Sequence, residues 1–180
     1  MKKTLPLLFL LALTIAALCA ACGDKEKEEE AAIDETAANL EEIALPRWAT
    51  ITADPAAVTV DGFSVEAADG TWSDLIHLCT DAEDLERYQG YYDGALTGDS
   101  YSEAVSGEKK LGDYTYQTAD CVAAANGQFF SFYFTAFEEP VDFGDGNACW
   151  GLYHYVWRAD GCEETKSAVE SVIAGLKLTN

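Results

Sequence analysis

Basic residues are scarce in this chain of 180 residues, with 11 lysines and arginines against 32 aspartates and glutamates and a formal net charge of −21. Nucleic acid phosphates and anionic lipid headgroups repel such a polyanion, so the composition excludes nucleic acid and peripheral membrane binding. The acidity favours solubility, with cationic ligands as the alternative. Serine-hydrolase motifs, phosphate-binding glycine loops and dinucleotide fingerprints are missing too. We therefore expect no cofactor, and the sequence singles out no catalytic residue.

The first 21 residues have the three parts of a secretory signal. Lys2 and Lys3 make the start basic, residues 5–18 are an almost unbroken apolar run, and Ala20 and Ala21 supply the small residues before a cleavage site. An uncleaved membrane-spanning helix is the alternative, because residues 5–21 fall at the short end of the roughly 17–25 residues that cross a bilayer. Both alternatives predict that the rest of the chain lies outside the cytoplasm.

The end of this signal resembles the lipobox of bacterial lipoproteins. A small residue, Ala21, precedes Cys22, while Cys19 stands where that motif usually has leucine and Leu18 lies one step further back. The resemblance implies cleavage after Ala21 and diacylation of Cys22, and two acyl chains suffice for stable anchoring. The membrane, reached through lipid on Cys22 at its extracytoplasmic face, is therefore the first expected partner.

The composition changes sharply after the lipobox. Residues 22–42 are rich in charge and alanine and poor in aromatics, so they cannot bury enough apolar surface to offset the entropy of ordering. We interpret them as an acidic, flexible tether. Residues 43–180 contain all four tryptophans and all nine tyrosines, a composition and length that suit a single domain with one core.

Hydrophobic periodicity predicts an antiparallel sheet of about six strands with two helices packed against it. The predicted strands cover residues 58–67, 71–79, 101–110, 114–124, 128–137 and 148–158. One helix should follow a capping box of Thr80 and Glu83, and the second should cover residues 163–176. This order, β-β-α-β-β-β-β-α, indicates an α+β domain.

A central hairpin is the clearest local signal. Asn126 and Gly127 separate two β-favouring runs and suit a type I′ turn, which would place Cys121 opposite Phe132. The alternation then puts six small or aromatic side chains on one face, the expected core face: Ala119, Cys121, Ala123, Phe130, Phe132 and Phe134. Residues 138–147 are predicted to be a polar loop.

The whole pattern resembles a family of small lipoproteins from Gram-positive gut bacteria, whose domains are similar to the PsbP-like sandwich. The resemblance rests on the lipobox and tether, the strand at residues 58–67, the Thr80-capped helix, the aromatic hairpin and the closing segment 168–178. It implies an accessory or interaction protein rather than an enzyme, although a fold alone does not fix a function.

Four cysteines remain after Cys22. An even number in an extracytoplasmic domain predicts two disulfides, and we slightly favour Cys79–Cys162 with Cys121–Cys149, because Cys79 and Cys162 each end a strand just before a helix. The alternative is that all four are free thiols that act as small hydrophobic residues.

Metal sites are weakly supported. His77 and Cys79 lie two apart on one strand, but no Cys-x-x-Cys or close histidine pair accompanies them, so we expect no metal. Residues 142–147 resemble a calcium loop, yet Gly144 and Gly146 stand where oxygen ligands are needed. A polar turn is the better interpretation.

The aromatic residues exceed what one face of a sheet needs. They include Tyr91, Tyr92, Tyr114, Tyr116, Tyr133, Tyr153, Tyr155 and Trp157. If helices cover one face only, part of the other face is an aromatic binding surface for a protein, peptide or glycan, with Tyr133, Tyr153, Tyr155 and Trp157 as its candidate ligand-binding residues. If both faces are covered, these rings belong to the core.

The sequence therefore predicts a non-catalytic, lipid-anchored binding module that uses the aromatic face or the loop at residues 138–147. A cell-envelope enzyme or enzyme accessory is the alternative, and it would need a cleft where carboxylates with raised pKa values converge. A metal-binding lipoprotein is a third hypothesis, which depends on His77 and Cys79 meeting another sulfur.

Overall fold

A computed structural model of the chain describes residues 39–144 and 146–179. The signal peptide, Cys22 and almost all of the predicted tether lie outside these residues. The described residues form two helices, α1 (Ala82–Thr97) and α2 (Glu163–Ala174), and ten strands. The strands are β1 (Glu41–Ala44), β2 (Ala49–Ala53), β3 (Val58–Asp61), β4 (Ser64–Ala67), β5 (Trp72–Cys79), β6 (Tyr101–Leu111), β7 (Tyr114–Ala123), β8 (Phe129–Gly144), β9 (Asn147–Arg158) and β10 (Lys177–Leu178).

The strands form two antiparallel sheets. The larger has seven strands in the order β3-β4-β5-β9-β8-β7-β6, and the smaller has three in the order β1-β2-β10. The predicted α+β class is confirmed, with more strands than the six expected. Within residues 39–144 and 146–179, neither helix is long and apolar enough to cross a membrane.

The sequence patterns failed in the first third of the domain. The predicted single strand at residues 58–67 is a hairpin, because the chain reverses at Gly62, whose φ of +61° suits glycine. Of the small sheet, the sequence indicated only an extra edge strand at residues 175–178, which contains β10, and neither β1 nor β2 was predicted. Its first strand begins at Glu41, inside the segment interpreted as tether, and pairs with β2 through Ile43 and Ile51.

The central hairpin exists, but its register differs from the predicted one by two residues. Cys121 pairs with Phe130 rather than Phe132, and the amide of Ala123 donates to the Gln128 carbonyl at 2.8 Å. A type I′ turn needs positive φ at both central residues, and of the two predicted ones only Gly127 has it. A shift of two residues keeps every side chain on its predicted face.

The predicted polar loop at residues 138–147 is mostly strand. β8 continues to Gly144 and β9 begins at Asn147, so the two strands form a long hairpin beyond a register break between Ala136 and Val141. Phe143 from this extension stacks on Trp48 at 4.6 Å between ring centroids. That apolar contact explains why a segment of polar composition is ordered as a strand.

Helix α1 begins one residue later than the predicted capping box implies. Asp81 is the N-cap and accepts a hydrogen bond from the Asp84 amide at 2.8 Å, while the Thr80 hydroxyl donates to the Asp84 carboxylate at 2.8 Å. The predicted role of Glu83 is therefore wrong. The helix continues through Gly90 and Gly94 and ends at Thr97.

Both faces of the seven-stranded sheet are covered. Helix α1 packs over one face, on a cluster formed by Ala119, Cys121, Phe130, Phe132, Phe134 and Tyr153. Helix α2 and the small sheet bury the other face, on a cluster that includes Ile76, Tyr116, Tyr133, Leu152 and Val156. The predicted core face of the central hairpin is confirmed as the α1 face, and the opposite face is a core as well.

Candidate functional site

A cavity of about 670 Å³ opens between α1 and the sheet. The sheet contributes His77 from β5, Phe132 from β8, and Tyr153 and Tyr155 from β9. Tyr88 and Tyr91 of α1 and Tyr101 at the start of β6 complete the aromatic lining. This aromatic pocket, as we call it, lies within the roughly 300–1,000 Å³ typical of small-molecule sites.

Strand pairing brings the floor of the aromatic pocket together. His77 pairs with Tyr153 across β5 and β9, and Phe132 pairs with Tyr155 across β8 and β9. Because side chains alternate between the faces of a strand, Tyr153 and Tyr155 point to the α1 side while His154 between them points away. β5 and the distant β8–β9 hairpin thus present a continuous aromatic floor.

Tyr88 fixes the ring of His77 at one side of the pocket. Its hydroxyl oxygen lies 2.9 Å from His77 Nδ1, and the two rings stack with centroids 4.6 Å apart. The other stacking partner of Tyr88 is Tyr153, at 5.2 Å. Desolvation by burial lowers the pKa of His77, so its imidazole is uncharged at neutral pH.

Tyr101 lines the other side of the aromatic pocket. Its ring meets Phe132 edge to face at 5.2 Å. Burial raises the pKa of Tyr101 and of Tyr153 well above the ordinary tyrosine range. These phenols therefore stay protonated, and the lining is aromatic and uncharged.

Two glycines of α1 keep the pocket open. Gly90 and Gly94 both line it, and a Cβ added at either would have no heavy atom within 4 Å. Glycine inside a helix costs roughly 0.5–1 kcal/mol relative to alanine, so α1 is weakened at two positions where larger side chains would narrow the cavity. Next to them, Tyr91 is 56% exposed at the mouth.

The four predicted ligand-binding residues do not all lie at the aromatic pocket. Tyr153 and Tyr155 line the pocket, and Trp157 lies on the same face, paired with Ser73, but outside the lining. Tyr133 is on the opposite face, where it is 1% exposed and its hydroxyl donates to Glu170 at 3.3 Å. The prediction put all four on the face opposite the core face of the central hairpin, but Tyr153, Tyr155 and Trp157 lie on that core face with Phe132. Their grouping with Tyr133 was therefore wrong, because Tyr133 pairs with His154 across β8 and β9.

Sequence reasoning missed the other half of the lining. His77 was considered only as a metal ligand and Phe132 only as core, while Tyr88 was given no role. Tyr101 was assigned to a strand without a role. The spacing of Tyr88 and Tyr91 in a helix that follows His77 was the available signal, but it does not tell which strands the helix covers.

The geometry contradicts both predicted disulfides, and the four cysteines are free thiols. β5 and β9 are antiparallel, with Trp72 opposite Arg158 and Cys79 opposite Gly151, so Cys79 and Cys162 lie at opposite ends of the sheet. The seven residue-to-residue steps from Trp72 to Cys79 span about 23 Å along the strand. Cys162 therefore cannot reach Cys79.

The second pairing is excluded by the sheet itself. Cys121 packs under α1, whereas Cys149 belongs to the core on the other side. Burial raises the pKa of Cys79 to about 12 and that of Cys121 to about 11, so both stay protonated. Neither thiol has the character of a nucleophile.

The metal candidates do not assemble into a site. Within the part of the chain that the structure describes, no group of three or more histidine, cysteine, aspartate or glutamate side chains is placed to hold an ion. In the segment compared with a calcium loop, the Asp142 carboxylate accepts a hydrogen bond from the Gly144 amide at 2.8 Å.

A polar pair is buried on the α2 face. His154 Nδ1 lies 2.8 Å from Asp74 Oδ2, and both side chains are almost completely buried. Asp74 Oδ1, His154 Nε2 and the Tyr116 hydroxyl have no hydrogen-bond partner among the described residues. The pair does not line the aromatic pocket, from which the sheet separates it, so we assign it to the structural core.

Comparison of the chain with protein-family models, with curated proteins and with solved structures finds no match. A functional hypothesis therefore has to come from the pocket and from the sequence.

Proposed function

We propose that this protein is a lipid-anchored, extracytoplasmic binding module without catalytic activity, and that the aromatic pocket is its ligand site. The observation that carries the proposal is the combination of an aromatic cavity of about 670 Å³ with two glycines that leave it open. Aromatic walls with a few fixed polar groups are typical of small-molecule sites.

The chemistry of the lining favours binding over catalysis. Nucleophilic or acid–base catalysis needs a nucleophile beside a base, or convergent carboxylates. Among the described residues that line the pocket there is no carboxylate, thiol or amine. The imidazole of His77 contacts the Tyr88 hydroxyl and is uncharged, which suits a fixed hydrogen-bonding group in a binding site.

The anchor is tested by replacing its cysteine. Cys22→Ala is expected to abolish incorporation of an alkyne-labelled fatty acid, because one thioether carries the diacylglyceryl group. Cys19→Ala is the matched control and should keep the label. A wild-type protein that stays in the membrane but takes up no label would instead support the spanning helix.

The pocket is tested by filling it. Gly94→Leu should remove binding of small water-soluble aromatic compounds, found by ligand-observed NMR with the full chain in maltoside detergent. We expect at least about a tenfold loss of affinity, because a leucine side chain at this lining residue would take space from the ligand, and its Cβ would have no heavy atom within 4 Å. The variant should remain folded, since leucine is a better helix former than glycine.

The control for this test is Gln89→Leu, which adds the same side chain to α1 at a residue that does not line the pocket. It should leave the affinity unchanged. Compounds that bind the wild type and Gly94→Leu equally well would show that the aromatic pocket is not the ligand site.

A further inference from the structure

We infer that the aromatic pocket selects an organic cation, of the quaternary ammonium or alkylated amine class, which it holds against tyrosine faces. This inference rests on the proposed function and names the ligand class of the same site. It follows from three features of the lining and its surroundings: the number of electron-rich rings, the missing positive charge and the acidic residues at the mouth.

Tyrosine dominates the lining. Tyr88, Tyr91, Tyr101, Tyr153 and Tyr155 surround the cavity with Phe132. The faces of such rings carry negative electrostatic potential, and a cation within about 6 Å of a ring centroid is attracted to them. Several rings around one desolvated cavity are the usual way in which proteins recognise cations that cannot donate hydrogen bonds.

One of these rings already binds a cation within the protein. The guanidinium of Arg87 lies over the Tyr88 ring, 5.6 Å from its centroid. Arg87 also forms a salt bridge with Asp84, so its own charge is matched, and it does not line the pocket. Tyr88 is therefore occupied, and it stacks in turn on Tyr153, which is 3% exposed. Tyr91, Tyr101 and Tyr155 are the rings left for a ligand.

The electrostatic surroundings favour a positive ligand. No lysine or arginine lines the pocket in the described residues, and His77 is uncharged. Asp99 lies between the lining residues Gly98 and Ser100, and Asp93 precedes the lining residue Gly94; both carboxylates are exposed. Together with a net charge of −21, they attract cations towards the mouth and repel anions.

A pair of isosteric probes separates charge from shape. Choline and 3,3-dimethylbutan-1-ol have the same size and shape, but only choline is charged. With the full chain in maltoside detergent, choline should bind at least about fivefold more tightly than the alcohol by ligand-observed NMR titration. Gly94→Leu should abolish this binding.

Tyr91 supplies a variant that does not threaten the fold, because its side chain is exposed. Tyr91→Leu keeps an apolar group but removes the ring, and should weaken choline binding about threefold while leaving the alcohol unaffected. Tyr91→Phe should retain choline affinity. If Tyr91→Leu weakened the binding of choline and of the alcohol equally, the ring would contribute only its bulk. That result would overturn the inferred preference for a cation.

The remaining outcomes separate the two proposals. If the alcohol binds as well as choline and Gly94→Leu removes both, the site stands and the cation preference is overturned. The same holds if neither probe binds while other aromatic compounds bind in a way that depends on Gly94. If no compound depends on Gly94, both the site and its cation preference are overturned.

Discussion

Replacing Gly151 with alanine is expected to destabilise the domain by about 3 kcal/mol and to remove ligand binding with it. A Cβ at this position of β9 would lie 2.4 Å from the carbonyl oxygen of Thr135 and 2.7 Å from Leu85 Cδ1. Leu85 can rotate away, but the Thr135 oxygen belongs to the backbone of the neighbouring strand. The added methyl group must therefore separate β8 from β9 or push α1 off the sheet, and either shift disturbs the aromatic pocket.

Urea unfolding followed by circular dichroism measures the loss, with choline titration as the second readout. Gly90→Ala is the matched control. It also replaces a glycine with alanine, but the added Cβ at this pocket-lining residue would have no heavy atom within 4 Å. It should stabilise the domain by roughly 0.5–1 kcal/mol. A Gly151→Ala protein as stable as the wild type would show that β8 shifts freely to admit a methyl group beside the Thr135 carbonyl, and would contradict this account.

The sequence predicts which face of the sheet a side chain occupies wherever strand alternation alone decides it. Ala119, Cys121, Phe130 and Phe132 lie on the predicted face, because strand alternation has a period of two and a register error of two residues preserves it. For the same reason Tyr153 and Tyr155 were correctly placed on one side of their strand. Local periodicity was enough for these assignments.

Contacts between distant segments were not predictable. Whether Tyr133 shares a face with Tyr155 depends on the β8–β9 register, which puts Tyr133 opposite His154 instead. The disulfide prediction failed for a similar reason, because it ignored that β5 and β9 are antiparallel neighbours. Predicting the pocket required one more contact between distant segments, because α1 has to cover the face of the sheet that carries Tyr153 and Tyr155.

The small sheet escaped prediction because its strands are short. β10 contains two residues, and its pairing with β2 joins segments more than 120 residues apart. A segment of this length has no measurable periodicity, so residues 177–178 could be considered an edge strand but could not indicate β2 as the partner. The core between α2, the small sheet and the large sheet therefore depends on contacts between distant segments, which local sequence patterns do not reveal.

Removing the carboxylate of Asp74 should be among the most destabilising changes in that core. Asp74→Ala leaves His154 Nδ1 without its partner at 2.8 Å, in a histidine whose side chain is completely buried. Removing one partner of a buried hydrogen-bonded pair lowers the free energy of unfolding by roughly 1–3 kcal/mol, because the remaining polar group stays buried without compensation. Denaturant unfolding of the single variant measures this loss.

The double variant Asp74→Leu with His154→Phe is expected to be more stable than Asp74→Ala, although it changes one more residue. Replacing both partners by apolar side chains removes the uncompensated polar group, so the two losses should not add. A single-variant loss below about 1 kcal/mol would contradict this account, since it would mean that His154 finds another partner as easily as Asp74. Choline affinity should survive in the folded double variant, because the pair lies on the α2 side of the sheet and the pocket on the α1 side.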